Sequence, residues 1–156
     1  LHRQIREGQT DKRYYLLAHG EIMQGAQVMQ LKYPLHKSLL ANGERRVRVD
    51  PEGLPSHTAL RVKKIMQRAD TAITLAEAQL KTGRTHQIRV HLSHQGHPLV
   101  ADALYGGRPA RGMQRQALHA AELAFAHPIT RAPLSFEAAL PPDLAAAWQQ
   151  VLGAAQ

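Results

Sequence analysis

Thr82-Gly83-Arg84-Thr85-His86-Gln87-Ile88-Arg89-Val90-His91-Leu92 marks the point where a strand gives way to a helix. The run before it, Thr71 to Leu80, alternates imperfectly between apolar and polar residues and reads as a strand. The run after it leads into Gly96-His97-Pro98-Leu99-Val100-Ala101-Asp102. On an ideal helix Ile88 and Leu92 share one stripe. Arg89, Ser93 and His86 share the flank beside it, and Arg84, His91 and Gln95 lie on the opposite flank. This spacing predicts a helix that docks by a narrow apolar face and presents an arginine from each edge. Backbone N–H groups at a helix start, together with two arginines, make a place for anions. The alternative for each arginine is a solvated surface cation. His91 and His94 are three apart with His97 near, which raises a metal site. No Glu stands in an HExxH arrangement and the chain has no Cys, so metal is the lesser reading.

Outward from this stretch, His57–Met66 and Thr71–Leu80 read as an antiparallel pair around Gln67-Arg68-Ala69-Asp70. Tyr14–Ala18 reads as a buried strand, with Tyr14 either a packed core tyrosine or a functional one. Val28–Leu31 makes a short strand. Arg46, Arg48 and Asp50 alternate with Val47 and Val49 as a half-exposed strand, while His36-Lys37-Ser38 and Gly43-Glu44-Arg45-Arg46 fall in or near loops. Lys32, Lys37, Arg45, Arg46 and Arg48 make this the most basic third, suited either to phosphate contact or to a solvated edge. Leu1–Glu7 reads as the end of a helix stopped by Gly8. Asp102–Gln116 reads as a long, flexible loop carrying Arg108, Arg111 and Arg115, able to order on RNA. Ala117–Ala126 and Ala132–Ala139 are strands split at His127-Pro128. Pro141-Pro142-Asp143 opens a last helix with Leu144, Trp148 and Leu152 on one stripe. Strands outnumber helices without alternating with them, which predicts an α+β fold with a largely antiparallel sheet.

The 156 residues suffice for one domain with a modest core. With two Phe and one Trp, aliphatic side chains must fill it. The absence of Cys excludes disulfides and thiolate sites and fits a reducing compartment. No run of 18 apolar residues and no signal peptide supports a membrane or secreted reading. Lys and Arg number 20 against 12 acids, for a net charge of +8, a balance that favours a polyanion partner.

The segment Leu80–Leu92, with Gly96-His97-Pro98 and Asp102-Ala103-Leu104-Tyr105-Gly106 after it, resembles the signature of RluA-type RNA pseudouridine synthases. The likeness is greatest to the RluC-like branch acting on large-subunit rRNA. Lys12-Arg13-Tyr14-Tyr15-Leu16-Leu17 resembles the family's Lys-x-Tyr strand, and Leu118-His119-Ala120 with Phe125-Ala126-His127-Pro128 its late strand. The resemblance runs from Leu1 to about Leu140. It implies a pseudouridine synthase-like fold, a mixed, largely antiparallel sheet flanked by helices with a central RNA cleft. It also implies conversion of uridine to pseudouridine in 23S rRNA, in the cytoplasm, with no metal, nucleotide or redox cofactor. By this likeness Tyr14 stacks on the target base and helps remove its C5 proton, and Arg89 pairs with the nucleophilic aspartate. Lys12, Arg84, His86 and Gln87 contact the substrate or support the loop. The family's His-Arg-Leu-Asp motif, followed by Thr-Ser-Gly, is absent. Residues 1–156 therefore read as the C-terminal portion of a catalytic domain, inactive without the aspartate segment. The alternatives are a non-catalytic RNA-binding module on the same fold and a His-based metal hydrolase.

Overall fold

The computed structural model describes residues 11–22, 28–68, 71–126, 133–137 and 140–153. Strand β1 (Asp11–His19) runs through the middle of a six-stranded sheet. The others are β2 (Met29–Leu31), β5 (Thr58–Arg68), β6 (Thr71–Leu80), β7 (Leu118–Ala126) and β8 (Pro133–Glu137), in the order β2-β5-β6-β1-β7-β8. A separate hairpin pairs β3 (Leu35–Leu39) with β4 (Arg45–Val49). The helices are α1 (Gln87–His94) and α2 (Pro142–Leu152).

The two-residue period of a strand sends alternate side chains to opposite faces. Leu16 and Ala18 meet Ile88 and Leu92 of α1, together with Leu60, Ala76 and Leu99. Leu17 meets Leu144, Ala147 and Val151 of α2, together with Leu75, Val100 and Met113. Because both faces are covered at this point, Leu16, Leu17 and Ala18 are all fully buried, which explains the unbroken apolar run. β6 lies beside β1 in a register from Lys12 opposite Leu80 to His19 opposite Ile73. That register brings the end of β6, and the turn that follows it, alongside the start of β1.

The α+β class holds, and every strand pair among the described residues is antiparallel, so the sheet is not mixed there. His36-Lys37-Ser38 lies in β3 and not in a loop. Of the two strands, Leu35 and Val47 alone are fully buried, packed with Val90 and Tyr105. Leu35 is the one buried residue of β3, and its second leucine, Leu39, is exposed, so no period-two burial pattern marks the strand. The segment after Asp102 is pinned, not loose. It opens with a 3₁₀ turn over Ala103–Tyr105, buries Met113 completely, and packs Gly107 against the Leu99 carbonyl. On α2 the buried stripe is Leu144, Ala147 and Val151, while Leu152 is 42% exposed. Small Ala147 lets the helix approach the sheet, and Trp148 lies at the flank against Tyr15, ring centroids 5.1 Å apart. The helix end expected at Leu1–Glu7 and the turn at His127-Pro128 lie outside the described residues. No helix among those described is long and apolar enough to cross a membrane.

A Cβ placed on Gly107 would stand 1.8 Å from the Leu99 carbonyl oxygen, whereas one on Gly43 meets nothing within 4 Å. Gly107→Ala should therefore cost at least about 2 kcal/mol. Gly43→Asn, at a positive φ that Asn tolerates, should stay within about 0.5 kcal/mol. Urea midpoints measure both, and equal losses would count against this account of the pinned segment.

Candidate active site

The turn between β6 and α1 is stapled by a buried amide. Gln87 Oε1 accepts from the Thr82 hydroxyl at 2.7 Å and from the Arg84 N–H at 3.0 Å. Its Nε2 donates to the His57 carbonyl and to Thr58 Oγ1, both at 2.9 Å. With 2% exposure and both polar atoms engaged, Gln87 is a brace and not a phosphate contact. His86 then takes a left-handed conformation, φ 52°, before the chain enters α1. Ile88 and Leu92 dock on the sheet as the helical spacing predicts. The flanks also fall as read. His86, Arg89 and Ser93 face Tyr105, while His91 and Gln95 face Tyr33. Arg84 precedes the helix and donates from Nε to the Pro55 carbonyl at 2.9 Å, so α1 itself presents one arginine, not two.

That arginine is held by a partner thirteen residues away. Asp102 accepts from Arg89 Nε at 3.0 Å and from Nη2 at 2.8 Å, a bidentate pair. The Asp102 side chain is fully buried and that of Arg89 is 15% exposed. The hydrogen bonds to Asp102 hold the guanidinium pKa above its ordinary value, against the effect of burial. The carboxylate occupies the Nε–Nη2 edge and leaves Nη1 without a partner among the described residues. The Tyr105 ring lies against the guanidinium, 5.1 Å from centroid to its central carbon.

Beside this pair an open pocket of about 210 Å³ brings Tyr14, Arg84, His86, Gln87 and Arg89 together over apolar walls from Leu80, Ile88 and Leu118. Tyr14 is half-buried, and burial raises its phenol pKa, so it is neutral near pH 7. Lys12, two residues earlier on β1, reaches the turn after β6. Its Nζ is 3.0 Å from where a Cβ on Gly83 would stand, and burial lowers its pKa. Thus five of the six residues singled out in the sequence line one pocket, and Lys12 stands beside Gly83, next to Arg84. Asp102 and Tyr105, which hold Arg89, were quoted in the sequence only as part of a motif. Their distance in sequence gave no sign of the contact.

His86 Nδ1 lies 2.6 Å from the Tyr105 hydroxyl, which also accepts the Val47 N–H at 3.0 Å. Burial, followed by the charge of Arg89, lowers the His86 pKa, so a neutral ring is suited to accept the phenol proton. A second cleft of about 230 Å³ opens between the hairpin and the turn, with Lys37, Gly83, Arg84 and Thr85 along it. Arg84 lines both clefts. The histidines do not converge. His91 Nε2 bonds Ser56 Oγ at 2.8 Å and the Tyr33 carbonyl at 3.0 Å, His94 packs edge-on against the Tyr33 ring, and His97 bonds the His19 carbonyl. Among the described residues no group of three or more His, Asp or Glu is placed to hold a metal ion.

A half-buried tyrosine beside a fixed guanidinium, over an apolar floor with cations at the rim, defines a pocket for a flat group carried on an anionic chain. Comparison with known proteins gives the class a family. The family model described as RNA pseudouridylate synthase matches residues 1–94. Ribosomal large subunit pseudouridine synthase C of Yersinia pestis is 40% identical over 146 residues, covering 90% of this chain and 44% of that protein. The protein of the same name from Escherichia coli (strain K12) is 38% identical over 162 residues, covering 99% and 49%. Among solved structures, Human RNA Pseudouridylate Synthase Domain Containing 1 superimposes with a TM-score of 0.71 at 27% identity, covering 94% of this chain and 62% of that one. The chain belongs to the RNA pseudouridylate synthase family, and it spans about half the length of the curated relatives it matches.

Asp102→Ala would strand the Arg89 charge. It should cost about 3 kcal/mol, the lower end for a broken buried pair, because Arg89 still reaches the pocket. Asp102→Asn, which keeps one acceptor, should cost less; a loss under about 1 kcal/mol for the alanine variant would show that the pair is not a structural anchor.

Burial, the largest influence on buried His91, lowers its pKa, so the unfolded chain takes up the proton more readily. Stability should be full above the unfolded value of about 6.5 and fall as pH drops below it. His91→Gln should flatten that fall in urea titrations between pH 7 and 5, and an unchanged slope would show that His91 does not carry it.

Proposed function

We propose that the protein containing this chain isomerises uridine to pseudouridine in RNA, with large-subunit (23S) rRNA as its substrate. The observation that carries this reading is the meeting of Tyr14 and Arg89 in one pocket. The names of the relatives support the substrate assignment. On this reading the protein would act where ribosomal RNA is processed, in the cytoplasm.

In the reaction the bond from ribose C1′ to N1 breaks, the uracil turns, C1′ bonds to C5, and the C5 proton passes to N1 by way of solvent or a side chain. Atoms and electrons balance, so the isomerisation calls for no oxidant or reductant. The target uridine must leave its stack to enter the pocket. There Tyr14 offers a flat face for the base, and its phenol oxygen takes the C5 proton as the hydroxyl passes its own proton on to solvent. The nucleophilic aspartate comes from a segment outside residues 1–156, and the Nη1 side of Arg89 receives it. A guanidinium at that place keeps the carboxylate ionised and fixes its direction. Lys12 and Arg84 meet phosphates at the rim, and the exposed Lys37, Arg45 and Arg48 of the hairpin extend that track. His86 supports the turn through Tyr105. Recognition beyond the target rests on RNA shape and single-stranded elements.

The missing His-Arg-Leu-Asp motif favours a second reading, an RNA-binding module without catalysis. One experiment separates the two. In the full-length protein, tritium release from C5-labelled uridine in rRNA should fall at least about 10³-fold on Arg89→Ala, while RNA affinity stays within about threefold. Equal losses of binding and turnover would contradict the role given to Arg89. No release by the wild-type protein would leave the binding module.

A further inference from the structure

We propose that Tyr105 is a positioning residue for Arg89, tying the pocket arginine to the cationic β3–β4 hairpin so that both rest on one side chain. The proposal builds on the reading of the pocket given above. Tyr105 is 7% exposed and stands in the 3₁₀ turn three residues after Asp102. Its hydroxyl, carbonyl and ring are attached to two elements, the hairpin and α1. Its hydroxyl accepts the Val47 N–H from the hairpin and meets His86 at the head of α1. Its carbonyl accepts from Ser93 Oγ on α1 at 2.8 Å. Its ring lies against Arg89 at 5.1 Å and Arg46 at 5.6 Å, and Arg46 also donates to the Leu104 carbonyl at 3.0 Å.

A guanidinium is a flat group, and holding it takes two constraints. Asp102 bonds one edge and so fixes its direction within the plane. It leaves the group free to swing about the line of those bonds. The Tyr105 ring limits that freedom, because the central carbon of the guanidinium stands over the ring 5.1 Å from its centroid, where a cation and an aromatic quadrupole attract. The hydroxyl contributes separately, since it sets the hairpin's height above the turn. A tyrosine serving only as core filling would need the ring's volume and neither of these orientations.

The two parts can be separated in the full-length enzyme. Turnover is read from single-turnover tritium release at saturating rRNA, and affinity from RNA binding in the same buffer. Tyr105→Leu, which removes the ring, should slow turnover roughly 10- to 100-fold, the scale of a small misplacement of a catalytic group. Tyr105→Phe restores the ring and should recover most of that loss, to within about threefold of the wild-type rate. Without the hydroxyl tie it should weaken RNA binding about threefold or more. On an Arg89→Lys background, whose ammonium cannot make the same fork, Tyr105→Leu should add little further loss. Equal slowing by Phe and Leu, or a Leu effect that adds in full to Arg89→Lys, overturns the proposal. If Leu does not fold, Phe still decides, because unchanged RNA affinity removes the hairpin tie. If Arg89→Lys itself leaves turnover intact, the pocket reading fails and this one with it. A loss by Arg89→Lys with none by Tyr105→Leu overturns the positioning role alone.

Discussion

The pair between Arg89 and Asp102 is the constraint on which the site depends. A carboxylate with no exposed side-chain surface needs its partner, since an unpaired buried ion costs several kcal/mol. The backbone around Asp102 is arranged to keep it there. Its carbonyl accepts the Gly107 N–H at 2.7 Å and the Tyr105 N–H at 3.2 Å, and its own N–H donates to Leu99 at 3.1 Å. Ala101, just before it, has a φ of 64°, a conformation that side chains other than glycine seldom take. Gly107 has no Cβ, which allows the chain to close on Leu99. The turn thus delivers the carboxylate to one place, and α1 must rotate Arg89 toward it.

The sheet supplies the other half of the pocket. Tyr14 lies on β1 between β6 and β7, and its two neighbours are not equivalent. Against β6 the register is regular, but against β7 it slips between Arg13, opposite Glu122, and Tyr14, opposite Ala120. The extra residue, Ala121, belongs to β7, so the bulge bends that strand while β1 stays regular against β6. The regular register, with Lys12 opposite Leu80 and Tyr14 opposite Ala78, sets Tyr14 near the turn that follows β6 and leads to Arg89. The pocket is a gap between a strand and a helix start, each fixed by its own hydrogen bonds.

Much of this was legible in the sequence because it follows from local period. The flanks of α1 could be written down from spacing alone, and the antiparallel pair β5–β6 from alternation and its turn. What failed was whatever depended on contacts distant in sequence. Nothing near Gln87 reveals that its amide is buried under His57 and Thr58, so the sequence left it between a phosphate contact and a support for the loop. Strand β3 was lost because Leu35 is the one residue that it buries, which leaves no alternation to see. Leu152 was placed on the buried stripe of α2 by its hydrophobicity. Packing chose Ala147 instead, since a small residue brings the helix closer. Motif resemblance located Asp102 but could not say what it holds.

The charges of the chain divide by burial, and the division bears on function. Lys37, Arg45, Arg46, Arg48 and Arg84 are exposed, so salt and water screen each of them. Such cations suit a polyanion whose affinity is set by counterion release and whose position is not yet fixed. Arg89 is the opposite case. It is shielded, bonded along one edge by Asp102 and backed by a ring, and little of its geometry is left to change when a ligand arrives. A charge held in advance acts on the reacting group without first being reorganised, which is where an enclosed cation gains over an exposed one. Arg46 joins the two sets, because it is exposed on the hairpin and also lies against the ring that backs Arg89. On the reading proposed above, the cationic hairpin and the arginine that receives the aspartate are thus joined through one side chain, Tyr105.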